Sequence, residues 1–426
     1  MSGEQERSGP CPLASEGDGD RQRARPRSGG KIARRDFVAG AATAPLALGA
    51  LGCAGGDGDN GRDAVRGTAG APVGWGRLAQ ALDNAVVVGP VPLASPIRGL
   101  QAERMRLAAE RRAGIPARVA SWDEELAHVR AQVRAAKAAG VNAFMVPVVV
   151  GEHEPAVSEN LRRFHEAIRA LNDQVVAVLE LNGLAAAVAT ARVGLIPWFQ
   201  GAKMVEADLA LFAAYRASGA GIMAPTHLWK MPYGDGAFER SDQGLTATGW
   251  LAIRAMNRER IVIDLSGMGP RSSLEAMATS EHPVIFSHSN ARAVHDHPMN
   301  LSDEHLRACA ELDGVVGVSA FPAYVSVDGR PTLDDVLRHL DHIVDTAGID
   351  HAALGLDFTD LPRKRFPSDP VPDPPYRFPE GLSGFEDLPR LREGLARRGY
   401  GERERAKVMG GNMVRVLRRV WGDGAA

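Results

Sequence analysis

Cysteine is scarce in this chain. There are three, Cys11, Cys53 and Cys309, and only Cys309 falls in the part that reads as folded. One thiol cannot form an intramolecular disulfide, and a cysteine-based zinc site is excluded as well. Long apolar runs are also missing. The run from Phe37 to Gly52 has 16 residues rich in Ala and Gly, short and weakly apolar against the roughly 20 that a spanning helix needs. No excess of either charge exists, with 50 Lys and Arg against 52 Asp and Glu. No basic patch interleaved with aromatics appears, which argues against a nucleic-acid partner. No Gly-rich phosphate loop and no short-period repeat occur.

What is present begins with an N-terminal segment set apart by composition. Residues 1 to 33 are rich in Arg, Gly, Ser and Pro, too poor in large apolar groups to be expected to fold. Arg34-Arg35-Asp36-Phe37 followed by the run to Gly52 reads as a twin-arginine export signal. Cys53 closes that run in Ala50-Leu51-Gly52-Cys53, a lipoprotein-like cleavage site in which Ala stands where Leu is usual. Residues 1 to 53 are therefore expected to be a signal peptide and 54 to 74, rich in Gly, Asp and Ala, a flexible linker. The protein would then be periplasmic or at the cell surface, with Cys53 as lipidation site and a lipid there as its only membrane anchor.

The remaining stretch, 75 to 423, is about the size of one α/β barrel. Eight short apolar runs alternate with amphipathic ones: Ala85–Val88, Ala143–Val150, Val193–Phe199, Ala220–Ala224, Arg260–Ser266, Val284–Ser287, Val315–Ser319 and His351–Asp357. The stretch TLDDVLRHLDHIVDTAG opens on a Thr cap with an acidic first turn and closes on Gly348, as helices do. Strands alternating with helices predict a parallel sheet, closed as a (β/α)8 barrel in a single domain. The open doubly wound sheet is the alternative. A ninth run, Val175–Leu181, is expected to be an extra element before the third strand. Residues 361 to 380 are a Pro-rich loop on the catalytic face.

The most informative segment is HPVIFSHSNARAVHDHPMNLSDE, residues 282 to 304. His288 directly follows a buried β-run, which places it at a strand's C-terminal tip, where barrels gather catalytic and metal-binding groups. With GLTATGWLAIRAMNRERIVIDLS (244 to 266), GIDHAALGLDF (348 to 358) and GGNMVRVLRRVWG (410 to 422), this segment makes the chain resemble the membrane dipeptidase (renal dipeptidase) family of zinc dipeptidases. The resemblance spans nearly all of 80 to 422.

That resemblance implies two zinc ions on five protein ligands and hydrolysis by a metal-activated water. This sequence departs from the pattern. The His-x-Asp pair after strand one falls on Pro90 and Pro92, the bridging Glu on Gln200 and the strand-five His on Gly267. Of the five ligands only His288 remains, which is too few for a zinc enzyme. The Arg implied to hold the substrate carboxylate falls on Met299. His227 and Asp357 survive as the implied substrate and proton-handling groups. The expected catalytic residues are thus His227, His288 and Asp357, and the expected ligand-contacting ones Gln200, Trp229, Arg292 and Met299. Trp198, Phe321 and Tyr324 are further candidates for pocket lining or for packing.

The blander readings stand beside these. Asp357 reads equally as a buried acid satisfied by backbone N–H groups or by His288. His295 and His297 sit on a loop or helix start, and His339 and His342 on a helical pattern as surface or packing residues. Three functions follow: a degenerate relative that binds a small or dipeptide-like ligand, metal-independent hydrolase or isomerase chemistry, or a zinc dipeptidase with atypical ligands. A homo-oligomer stays open.

Overall fold

The computed structural model describes residues 85–89, 122–150, 156–206, 208–358 and 377–422, all in one folded unit, Gly70–Ala426. The export signal, Cys53, the linker, Pro90, Pro92 and most of the Pro-rich loop lie outside these residues.

Strands β1 (Val87–Val88), β2 (Ala143–Val150), β4 (Val193–Gln200), β5 (Ile222–Ala224) and β6 (Val262–Ile263) pair in that order, all parallel. Strands β7 (Ile285–Phe286), β8 (Val315–Val318) and β9 (Ala352–Leu354) pair likewise. A parallel bridge of Asp264 with Ile285 joins the two sets. At the other seam Gly89 N donates to Leu354 O at 2.7 Å. The curled sheet is the expected barrel of eight strands. The ninth run forms β3 (Val175–Ala177), which pairs with the start of β4 outside the eight. It is shorter than its apolar pattern suggests. Val178 and Leu179 leave the ladder, Glu180 stands at the N-cap position, and Leu181 already begins the helix Leu181–Ala189. The Arg260–Ser266 run also narrows to the two strand residues Val262–Ile263, after which Asp264 continues only as the single bridge to Ile285.

Alternation sorts the side chains. Ala85, Val87, Ala143, Met145, Ile196, Trp198, Ile222, Val262, Ile285, Val315 and Ala353 form one buried cluster inside the barrel, and their sequence neighbours pack outward against the helices. Between the strands, helices begin where the sequence predicts. Thr332 and Asp335 form a reciprocal capping box, and the helix Leu333–Ala347 stops at Gly348 with φ +95°, a left-handed turn that glycine adopts without penalty.

The helix Asn412–Trp421 closes the N-terminal end of the barrel. Its Met413, Val414, Val416, Leu417 and Val420 join the interior cluster. Asn412 Nδ2 donates to Ile349 O and Ala352 O, and Trp421 Nε1 to Gly221 O, all at strand beginnings. At the preceding kink a Cβ on Gly410 would stand 2.1 Å from Ala85 O, so only glycine admits this approach.

One layer higher the barrel is pinched. A Cβ on Gly355 would lie 2.0 Å from the Ser287 carbonyl oxygen, on Gly317 2.4 Å, and on Gly89 2.6 Å. Three strands thus press bare backbone against one carbonyl. No described helix is long and apolar enough to cross a membrane.

Candidate functional site

The candidate residues stand at the C-terminal strand ends. Gln200 is the last residue of β4 and is buried. His227 follows β5 by three positions, and Gly267 follows β6 by four. These two are brought together: a Cβ on Gly267 would meet His227 Cδ2 at 3.2 Å. Gly267 has φ +81°, and its carbonyl accepts from Leu228 N at 3.0 Å and Ala237 N at 2.9 Å. The turn is built for glycine, and an L side chain there is strained.

His288 lies two positions past β7, inside the barrel and 1% exposed. Its ring stands edge-on to Trp198, centroids 5.4 Å apart at 87°. Nδ1 is 2.8 Å from Ser287 Oγ, and its backbone N donates to Ser266 Oγ at 3.0 Å. Ser287 Oγ in turn donates to Asp264 Oδ2 at 2.5 Å. Asp264 also accepts from Trp198 Nε1 at 2.7 Å, and from Ser266 N and Ser287 N at 3.0 Å each. Burial pushes the Asp264 pKa up, and these hydrogen bonds pull against it. Sequence reasoning missed Asp264. The available signal was an acid inside an otherwise apolar strand run, IVIDLS.

Asp357 lies three positions past β9. Gly355, two before it, touches Ser287, one before His288, so the two strand tips adjoin. Asp357 is 5% exposed, with φ +53°. Its Oδ2 has no hydrogen-bond partner among the described residues. Burial holds its pKa well above the ordinary carboxylate range. The expected alternative, an acid satisfied by backbone N–H groups or by His288, does not describe Oδ2. A strained, underpartnered, buried acid points to function more than to stability.

The expected ligand-contacting residues divide. Met299 is buried in a small apolar cluster with Leu228, Ala237, Phe321 and Tyr324. Arg292 donates through Nη2 to Pro298 O at 3.3 Å and sits 3.7 Å from Asp296. Arg292, Met299 and Gly267 line one cavity of about 10 Å³, room for a single water. Trp229 is 46% exposed and lies against Phe238 at 5.7 Å rather than deep in the mouth.

His295, His297, His339 and His342 are engaged locally and do not join His288. His297 lies tilted against Tyr324, ring centroids 4.9 Å apart, and its Nδ1 accepts from Met299 N at 3.2 Å. His295 Nε2 is 3.1 Å from Ala323 O. His339 is fully buried between Ala291 N, at 3.2 Å from Nδ1, and Val325 O, at 3.1 Å from Nε2. Burial lowers its pKa to about 4. His342 bonds Asp303 at 2.7 Å.

The donor set does not fit the zinc pair that the sequence resemblance implies. Gln200 offers a neutral amide, Gly267 offers no side chain, and a Cβ there already crowds His227. Among the described residues no three His, Cys, Asp or Glu side chains gather where an ion could be held.

With this geometry in place, comparison with known proteins is informative. A family model for membrane dipeptidase, peptidase family M19, matches residues 118–422. An uncharacterized dipeptidase of Schizosaccharomyces pombe is 36% identical over 180 residues, 42% of this chain and 41% of that protein. An uncharacterized protein of Klebsiella pneumoniae, encoded in the pqqA 5′ region, is 34% identical over 182 residues, 42% of this chain and 62% of that one. The chain therefore spans less than two thirds of these relatives' length. Among solved structures, an amidohydrolase from Pseudomonas aeruginosa aligns with TM-score 0.67 and 26% identity, covering 81% of this chain and 99% of that one. A metallo peptidase from Rhodobacter sphaeroides, solved with a phosphinate mimic of the dipeptide L-Ala-D-Ala, gives TM-score 0.63 at 20% identity, covering 79% and 99%. That second likeness is one of fold.

Proposed function

Because the chain belongs to the membrane dipeptidase family, peptidase family M19, we propose that it is an exported dipeptidase-like protein. In this proposal it binds a small peptide-like ligand in the barrel mouth and does not efficiently cleave dipeptides with zinc. The observation that carries this reading is Gly267. It stands where the resemblance puts a zinc-binding His, on a left-handed turn whose close neighbour is His227. Gln200 supports it, because a neutral amide suits a buried pocket without a cation better than a carboxylate does. Met299 supports a ligand that does not depend on a carboxylate contact at that position, since an apolar cluster cannot compensate a charge.

Asp357 favours a second reading, metal-independent acid–base chemistry with His227 and His288. A carboxyl whose pKa burial raises well above the ordinary carboxylate range is suited to donate a proton. Export by the twin-arginine route, with Cys53 lipidated, belongs to the same proposal and rests on the N-terminal sequence alone.

The deciding experiment is metal analysis of the purified protein, coupled to calorimetry with L-Ala-D-Ala and a cleavage assay with and without chelator. The proposal expects far less than one zinc per chain, saturable binding of the dipeptide and no chelator-sensitive cleavage. Two tightly bound zinc ions with chelator-sensitive cleavage would instead make it a zinc dipeptidase with atypical ligands. Metal-free cleavage abolished by Asp357→Asn would select the second reading.

A further inference from the structure

The cavity of about 10 Å³ lies between the turn at Gly267 and the loop from Arg292 to Leu301, and both contribute to its wall. Most polar groups of that wall are already engaged. Ser273 Oγ donates to Gly269 O at 2.9 Å. His305 uses both ring nitrogens, with Nδ1 2.7 Å from Ser302 Oγ and Nε2 2.9 Å from Pro270 O. Two residues of the wall differ. Arg292 Nε and Asn300 Oδ1 are buried atoms with no hydrogen-bond partner among the described residues. The carboxylate of Asp296 stands 3.7 Å from Arg292 Nε, past hydrogen-bond reach, and is 92% exposed.

The backbone holds the two groups side by side. Arg292 N donates to Leu301 O, and Leu301 N to Asn290 O, at 2.8 Å each. Asn300 is buried, and its Nδ2 donates to His295 O and Tyr324 O, at 2.8 Å each. Only the NH₂ end can serve two carbonyls, so the amide cannot be turned over and Oδ1 is the end left for the cavity. Arg292 Nε carries one hydrogen and accepts nothing; Asn300 Oδ1 only accepts. An occupant that bridges them must accept one hydrogen bond and donate another. A halide or carboxylate oxygen would suit Arg292 and set two acceptors face to face at Asn300. An ammonium would suit Asn300 and set two cations together at Arg292. A neutral O–H oxygen meets both. The volume agrees, since about 10–15 Å³ holds one water.

We propose that Arg292 and Asn300 form a binding site for one neutral hydroxyl oxygen, which accepts from Arg292 Nε and donates to Asn300 Oδ1. Two sources share that chemistry, a buried water and the hydroxyl of a small ligand. Gly267 belongs both to this wall and to the candidate site beside His227, so the two share one turn of backbone. The site stands apart from the dipeptide-like reading above; only the ligand source rests on it.

Crystals of the full chain, grown without dipeptide and diffracting well enough to show ordered water, test the site. Wild type should show one density peak within about 2.7–3.2 Å of both atoms. Arg292→Met keeps the stem and removes the donor, and the peak should be lost while Asn300 keeps its two carbonyl contacts. A bromide soak read by anomalous scattering separates an anion from a hydroxyl. Bromide bound at Arg292, a wild-type cavity without a peak, or a peak that persists in Arg292→Met would overturn the proposal. Should Arg292→Met fail to fold, the wild-type map and the bromide soak decide alone. Soaks with L-Ala-D-Ala and L-Ala-D-Ser separate the sources. A serine hydroxyl in place of the peak assigns the oxygen to the ligand, and an unchanged peak beside a bound peptide assigns it to water. Binding of neither peptide would count against the proposed function, and the ligand-free map would still decide this site.

Discussion

Trp198 and Asp264, 66 positions apart, are joined inside the barrel by a 2.7 Å hydrogen bond from the indole N–H to the carboxylate. The bond ties the fourth and sixth strands across the fifth at the height where the candidate site begins. A carboxylate this deep holds its charge only through such donors. Trp198→Phe keeps the ring and removes the donor. It should lower unfolding free energy by about 1.5–3 kcal/mol, the worth of a hydrogen bond to a charged group. Urea denaturation followed by circular dichroism measures it. A loss no larger than a few tenths would show that Asp264 is neutral and indifferent to the indole.

Asp357 sets a pH dependence of definite sign. Its folded pKa stands well above the unfolded 3.8, so the native state keeps this proton longer than the unfolded chain does. Stability from this group is therefore lost as pH rises from 3.8 toward the folded pKa, at up to about 1.4 kcal/mol per pH unit. Asn carries no such penalty and tolerates φ +53°. Asp357→Asn should be more stable than wild type, by a margin that widens between pH 4.5 and pH 7 in urea titrations, while weakening any function of the site.

His339 acts in the opposite range. With its folded pKa lowered from 6.5 to about 4, it stays neutral where the unfolded chain takes up a proton. Its stabilising contribution is complete above pH 6.5 and declines by about 3 kcal/mol as pH falls to 4. His339→Gln should flatten that part of the stability profile. An unchanged acid limb would assign the decline to other groups.

The pinched layer predicts a steep steric response. Gly355→Ala puts a methyl 2.0 Å from the Ser287 carbonyl, where neither partner is a flexible side chain. A loss of about 3 kcal/mol or more is expected, at the upper end for overpacking. A similar melting temperature would mean that the strands stand farther apart in solution.

Rebuilding zinc ligands meets the same kind of limit. Gly267→His must adopt φ +81° beside His227, at about 1–3 kcal/mol of strain. Combined with Gln200→Glu, it should melt below wild type without metal and recover part of the loss on adding zinc. Wild type should show no zinc-dependent shift in the same melting assay.

Local signals carried much of the fold from sequence. Thr332, Asp335 and Gly348 bound a helix because caps are made by neighbours within a few positions. The apolar runs located all eight barrel strands, because a buried parallel strand reads as continuous hydrophobicity. They overstated lengths: the runs at 175–181 and 260–266 hold three and two ladder residues, since hydrophobicity marks burial and not pairing. At the site, His227 beside Gly267 followed from strand order. Asp264 did not, because its partners Ser287 and Trp198 lie 23 and 66 positions away. The burial of Met299 in its own apolar cluster was equally invisible, since Phe321 and Tyr324 reach it from another strand's loop.

The helix Asn412–Trp421 sets the order in which the molecule can be finished. Trp421 bonds Gly221 across 200 positions and Arg415 bonds Asp313 across 102, so the floor is assembled from contacts of very long sequence separation. Such contacts come late, because the loops they close must be ordered first. Until this helix docks, Val87, Ile222, Val262 and Ile285 have an open end below them. The barrel interior is therefore expected to close only once residues 412–421 are available to dock beneath it.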